Sequence, residues 1–281
     1  MKKFFRLTKE RFKKFFKYWD LLMLLVQRDL KLKYRRSFLG YLWSVLNPLL
    51  SMIVMAIVFT RMFKRNIENF PLYLICGNIL FSFMRDSTTQ AMTSVISNAS
   101  LLKKTYVPKY IFTLSKVTSC MVNFVLSLGA LFIVMIATKQ PFRWMNFMII
   151  VPIVELYVFC LGLGLLLAAG TVFFRDIRNI WNVVTLAWMY LTPIFYSLDS
   201  FNDSKTKDIV DMSKLGLFIR RFNPLYMYIQ QFRYFIMQYE STLVEVPCGV
   251  LMWRGAVCAG LMLIVGLITF NATKNKFILY I

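Results

Sequence analysis

The sequence predicts an all-α membrane protein with six transmembrane helices preceded by an amphipathic helix at the membrane interface. Three observations carry that prediction. Hydrophobic residues are 58% of the 281-residue chain and charged residues 17%, against about 45–50% and about 25% in soluble domains. Apolar runs long enough to cross a bilayer recur along it. The basic residues are unevenly divided between the two sets of connecting segments. Histidine is absent, which excludes Ser-His-Asp triads and His-ligated metals.

The elements follow in order. In residues 4–19, Phe5, Phe12, Phe16 and Trp19 recur at spacings of seven, four and three among Lys and Arg. That is one apolar stripe on a basic helix, the pattern of a helix lying in the membrane surface. Residues 20–36, DLLMLLVQRDLKLKYRR, hold too short an apolar run to span and end in a basic cluster. Residues 1–36 therefore form a cytoplasmic region of interface and gate-type helices, and 37–281 form the transmembrane domain.

A spanning helix needs about 20 apolar residues, because the hydrocarbon layer is about 30 Å thick and the rise is about 1.5 Å per residue. Six stretches qualify: about 39–60, 71–95, 110–138, 147–173, 181–198 and 248–270. Span one is entered through Tyr41 and Trp43, rings that favour headgroup depth. Ser37 and Gly40 predict a break before it, and Asn47-Pro48 a break one turn into it. Pro193 predicts a kink in span five. Arg85, Asp86, Lys116 and Glu155 fall inside spans and need partners there; the expected pairing is Glu155 with Lys116 or Arg85. The five cysteines lack C-x-x-C spacing and read as buried apolar side chains.

Six spans put both termini on one side. The segments on that side carry 20 Lys and Arg and the opposite segments 11, so the positive-inside rule places both termini in the cytoplasm. The excess charge, +21 overall, then reports orientation and contact with anionic membrane lipids rather than nucleic acid.

The string RDLKLKYRRSFLGYLWSVLNPLL at 28–50 closely resembles the start of the ABC-2 type permease family, in particular the membrane subunits of polysaccharide exporters of the O-antigen, capsule and teichoic acid type. VPKY at 107–110, FFRDIRNI at 173–180, LTPIFY at 191–196 and NPLYMYIQQFRYF at 223–235 follow in the family's order. The resemblance implies a half-transporter of the inner membrane. Two copies form the pathway, two separate nucleotide-binding ATPase subunits dock on the cytoplasmic face, and a lipid-linked glycan moves. It also implies short re-entrant helices on the periplasmic side between spans five and six.

The residues support parts of this independently. No Gly-Lys pair exists, so no phosphate-cradling loop of the G-x-x-x-x-G-K-[ST] type is present. ATP and Mg therefore belong to a partner, and the chain itself is neither an enzyme nor a cofactor carrier. Six helices rarely enclose a sugar-wide pore, which favours a two-fold homodimer. The ATPase-docking candidates are Arg28, Asp29, Lys103, Lys104, Tyr106, Pro108, Arg175 and Asp176. The pathway candidates are Tyr41, Trp43, Phe81, Arg85, Tyr196, Tyr226 and Arg233, rings and cations suited to sugars and phosphate. No metal site is expected. The alternatives are the same architecture exporting another amphiphile or drug, a polytopic transferase acting on lipid carriers, and a channel or ion-coupled transporter.

Overall fold

A computed structural model describes residues 16–35, 37–63, 67, 69–104, 107–196, 218–219, 221–238 and 247–280. Phe5, Phe12, Tyr106 and the loop at 199–217 lie outside them. Every regular element among the described residues is helical.

The first helix, α1 (Trp19–Tyr34), carries Asp20 in its first turn and Lys31 and Lys33 in its last, the arrangement the helix dipole favours. It buries Leu22, Leu25 and Val26, and packs Leu22 and Leu25 with Ile111 and Phe112. The break at Ser37–Gly40 is real. The Gly40 amide donates to the Ser37 hydroxyl (3.2 Å), and Gly40 takes a left-handed φ of 46°, which glycine adopts without steric cost. A 3₁₀ turn then leads into α2 (Trp43–Phe63). Pro48 sits inside α2 without ending it, contrary to the expected break. It falls within the first two turns, where its missing amide deprives a single carbonyl near the helix start.

The remaining helices are α3 (Phe70–Ser97), α4 (Ala99–Lys104), α5 (Tyr110–Ala137), α6 (Ile150–Phe173), α7 (Ile177–Leu191), α8 (Pro224–Met237), α9 (Cys248–Thr273) and a short α10 (Phe277–Tyr280). Among the described residues, four segments are long and apolar enough to cross a membrane: Gly40–Thr60, Tyr110–Ala137, Trp144–Phe173 and Cys248–Lys276. Of the six predicted spans, two do not meet that standard. The 28 residues of α3 have the length, but Arg85 and Asp86 and a run of Ser and Thr dilute its apolar character. The 15 residues of α7 reach only about 22 Å, because the helix stops at Leu191 and the chain bends through Thr192–Tyr196. Pro193 therefore follows the helix end instead of kinking a longer span.

Helix α6 lies at the centre and α2 at the edge. Of the apolar stretch in Trp144–Phe173, 56% is buried, against 6% in Gly40–Thr60. The α6–α9 contact is the closest in the bundle. A Cβ on Gly266 would collide with the backbone of Gly162, and one on Gly162 with the Met262 carbonyl. Small residues permit this approach, and dispersion between the two backbones rewards it. With 14 residues, α8 is about 21 Å long, too short to span. Eleven of its residues, Leu225 through Arg233 with Phe235 and Ile236, are buried against the bundle.

The start of α5 meets the end of α9: Lys109 Nζ donates to the Lys274 carbonyl and lies 5.4 Å from the centroid of Phe277. Phe277 in turn packs edge-on against Phe173 and Phe270. Of the cysteines, Cys76, Cys120 and Cys160 are buried as expected, Cys248 and Cys258 are only half-buried, and none of the five is in a disulfide.

Candidate functional site

Four polar constellations interrupt the apolar bundle. The first is a cavity of about 290 Å³ between α1, α2, α3 and α5. The end of α1 contributes Lys33 and Tyr34, α2 contributes Trp43, Ser44, Asn47 and Ser51, α3 contributes Asn78, Ser82, Arg85 and Asp86, and α5 contributes Asn123 and Ser127. Phe83 and Phe124 form its apolar wall, with ring centroids 5.2 Å apart. Tyr34 fixes one rim. Its hydroxyl bonds to Ser44 Oγ and donates to Asn123 Oδ1 (2.7 Å), while Asn123 Nδ2 donates to the Ser119 carbonyl (3.1 Å).

The second constellation ties α1 to the bundle. Asp29, its side chain 6% exposed, sits 2.9 Å from Lys116 Nζ and 3.1 Å from Arg28 Nη2. Arg28 Nη2 also donates to Asn98 Oδ1 (3.1 Å), and Asn98 caps the end of α3, where α4 begins. One carboxylate thus joins α1, the α3–α4 junction and α5. The pairing expected of Lys116 with Glu155 is therefore corrected. Lys116 reaches Asp29, a turn-by-turn neighbour across the α1–α5 contact, and Arg85 reaches its own neighbour Asp86 (3.3 Å). Glu155 accepts instead from Gln231 Nε2 (3.1 Å), which also donates to the Leu251 carbonyl (3.0 Å). That third constellation joins α6, α8 and α9.

The fourth is a clamp on the broken end of α7. Arg233 is 1% exposed. Its Nη1 donates to the Pro193 carbonyl (2.8 Å), and Nη2 to Tyr73 (3.1 Å) and Ile194 (3.3 Å). Nε adds a bond to Tyr73 (3.3 Å), and the guanidinium carbon lies 3.4 Å from the Tyr73 ring centroid. Asn223 completes the junction: Oδ1 accepts from Trp188 Nε1 (3.0 Å) and the Leu225 amide (3.1 Å), while Nδ2 donates to Thr192 Oγ1 (2.9 Å). Buried carbonyls past a helix end need donors; Arg233 supplies them to Pro193 and Ile194.

The pathway candidates separate accordingly. Trp43 and Arg85 line the cavity, and Tyr41 stands beside it, 4.6 Å from the Tyr34 ring. Phe81 and Tyr226 are core residues, 2% and 4% exposed, and Arg233 serves the clamp. Tyr196 bridges the α7 end: its carbonyl accepts from Tyr73 (2.8 Å) and its hydroxyl donates to the Tyr190 carbonyl (3.0 Å). Of the docking candidates, Lys103 and Lys104 are exposed at the end of α4, and Arg175 and Asp176 are exposed in the turn before α7. Pro108 precedes α5, its carbonyl accepting from Ile111 (3.1 Å). Asp29 is buried against the bundle, and Tyr106 lies outside the described residues.

The sequence reading missed Ser51, Asn78, Ser82 and Asn123. Their signal was present: an amide or hydroxyl inside an apolar run costs free energy unless something meets it. Among the described residues, no three Cys, Asp or Glu side chains gather as a metal site.

Comparison with known proteins decides the family. The model of the ABC-2 type transporter family matches residues 20–237. The chain belongs to the ABC-2 type transporter family. It is similar to an O-antigen export system permease protein of Myxococcus xanthus, 34% identical over 197 residues, covering 69% of this chain and 75% of that protein. A Klebsiella pneumoniae O-antigen export system permease protein is 28% identical over 261 residues, covering 92% and 94%. A capsule polysaccharide export inner-membrane protein of Neisseria meningitidis serogroup B is 25% identical over 179 residues, covering 61% and 66%. The family match spans every helix from α1 to α8 of this ABC-2 protein, the cavity and the Arg233 clamp included.

Proposed function

We propose that this chain is the membrane subunit of an ATP-driven exporter that moves lipid-linked polysaccharide out across the cytoplasmic membrane. The observation that carries the reading is the end-to-end similarity to O-antigen export permease proteins of nearly the same length. The cavity supports it. Asn47, Ser51, Arg85 and Asp86 are exposed on helices that otherwise present apolar faces, and such groups do not face hydrocarbon without cost. They belong on a water-filled or protein-covered surface.

The chain works as a homodimer with two copies of a separate ATPase. The peripheral helices supply the contact surface: Leu50, Ile53, Val54 and Ile57 of α2, and Val183, Leu186 and Tyr190 of α7, are all exposed. A second copy would convert the cavity side into the wall of an enclosed path. With six membrane-inserted helices, α2, α3, α5, α6, α7 and α9, both termini lie on one side, and the excess of Lys and Arg in the segments of that side supports its being the cytoplasm. Helix α8 is then a re-entrant element on the outer side. The exposed Lys103, Lys104, Arg175 and Asp176 sit on the cytoplasmic end, where the ATPase docks. ATP and Mg bind there and not in this chain.

The test is co-purification with a candidate ATPase subunit from the same organism, followed by reconstitution into vesicles. The expected result is ATP-dependent appearance of lipid-linked glycan in the opposite leaflet. Transport that proceeds unchanged without any ATPase would overturn the proposal.

A further inference from the structure

Many serines and threonines of this bundle have a hydrogen-bond partner of their own. Ser87, Thr88, Ser115, Ser119, Ser127, Thr171 and Thr185 each return their hydroxyl to a carbonyl one turn back, at 2.7–3.1 Å. This is the usual way to satisfy a hydroxyl in an apolar helix. Ser51 and Ser82 make no such bond among the described residues. Asn47 and Asn78 likewise bond to no described residue. All four line the 290 Å³ cavity. They are therefore presented to whatever fills it, two amides and two hydroxyls from two facing helices.

We infer that this recess is a binding station for a single sugar ring of the moving chain, held by Asn47, Ser51, Asn78 and Ser82 with the exposed Trp43 at its mouth. The inference rests on the export reading and adds a place where the glycan is gripped. The chemistry favours a neutral polyhydroxyl over an anion. Amides and hydroxyls both donate and accept, as sugar hydroxyls do. Arg85 is already paired with Asp86 (3.3 Å), so Lys33, 5.6 Å from the Tyr34 ring centroid, is the one cation of the described lining without a carboxylate, against four uncharged groups that both donate and accept. The size fits one ring and not a chain: about 290 Å³ stands at the small end of ligand sites, which begin near about 300 Å³. Trp43 is 38% exposed, and an aromatic face stacks on the C–H face of a pyranose. A recess of this size on the side of a larger path would hold one residue of the polymer while the rest passes.

The test uses the full chain in lipid nanodiscs and saturation-transfer NMR with a panel of methyl pyranosides as probes, with inorganic pyrophosphate as the anionic control. At least one pyranoside should show transfer. The Asn78→Leu/Ser82→Val double variant should reduce it about tenfold, while Ser82→Thr, which keeps the hydroxyl, should retain it. The double variant replaces polar by apolar groups on a membrane protein, so folding is checked by its thermal midpoint. In vesicles with the ATPase, the same double variant should slow glycan export about tenfold. Binding of pyrophosphate alone, or pyranoside signals unchanged in a folded double variant, would overturn the station. If the wild-type pair exports no glycan at all, the export reading itself fails; export that runs equally in wild type and double variant removes only the station.

Discussion

Replacing Arg233 by methionine tests the clamp directly. The variant keeps length and apolar bulk but removes every donor from a side chain that is 1% exposed. The carbonyls of Pro193 and Ile194 lie beyond the end of α7 and lose their guanidinium partner. A buried acceptor left unmade costs about 1–3 kcal/mol; Ile194 loses its guanidinium donor while Pro193 keeps the long bond from the Tyr73 hydroxyl (3.3 Å), so the pair contributes about 1–4 kcal/mol. Loss of the cation over the Tyr73 ring adds up to about 2 kcal/mol in a desolvated setting. Desolvation of the guanidinium itself runs the other way. Relief of that cost is what makes some buried ions dispensable when both partners are replaced. Here the partners are backbone carbonyls and stay, so the loss dominates. We expect a net destabilisation of about 3–5 kcal/mol, a large share of the about 5–15 kcal/mol that typically separates folded from unfolded states. At about 2–4 °C per kcal/mol for a chain of this size, the thermal midpoint in detergent should fall by about 6–20 °C. Arg233→Lys carries the charge but not the planar fork, so it should recover less than half of that. A methionine variant within about 2 °C of wild type, or a lysine variant equal to wild type, would refute the clamp.

Asp29→Asn should lower the midpoint by an amount worth about 1–3 kcal/mol, because it leaves Lys116 and Arg28 without their carboxylate. Lys116→Met combined with Asp29→Asn should cost less than the sum of the single changes, as a double-mutant cycle in detergent melts will show. Gly40→Ala separates strain from crowding. Nothing lies within 4 Å of the added Cβ, so the about 1–2 kcal/mol of a left-handed φ is the whole expected effect, read from the same melts. Gly266→Val should abolish folded yield in size-exclusion chromatography, since its side chain would occupy the space of the Gly162 backbone. Thiol labelling should modify Cys248 and Cys258 before Cys76, Cys120 and Cys160, following their burial.

Composition and run length were enough to establish the helical membrane class, since a chain this apolar has few other ways to satisfy its backbone in lipid. They also found the break at Gly40, because the need for a left-handed φ is local and one residue declares it. Span five shows the limit. Its apolar run continues through Pro193 to 198, and only the packed structure shows that α7 stops at 191 and hands its carbonyls to Arg233, forty residues later in the chain. Glu155 and Lys116 read as natural partners by charge alone. Helix packing gave each a different neighbour, Gln231 and Asp29. Asn78 and Ser82 were visible as letters in an apolar run, but whether a helical serine bends back to its own backbone or faces a shared recess depends on the helix opposite. Hydrophobicity and glycine act through the chain's own covalent neighbours and are written in order; partner choice and cavities arise where helices distant in sequence meet, and those positions exist only once the bundle has closed.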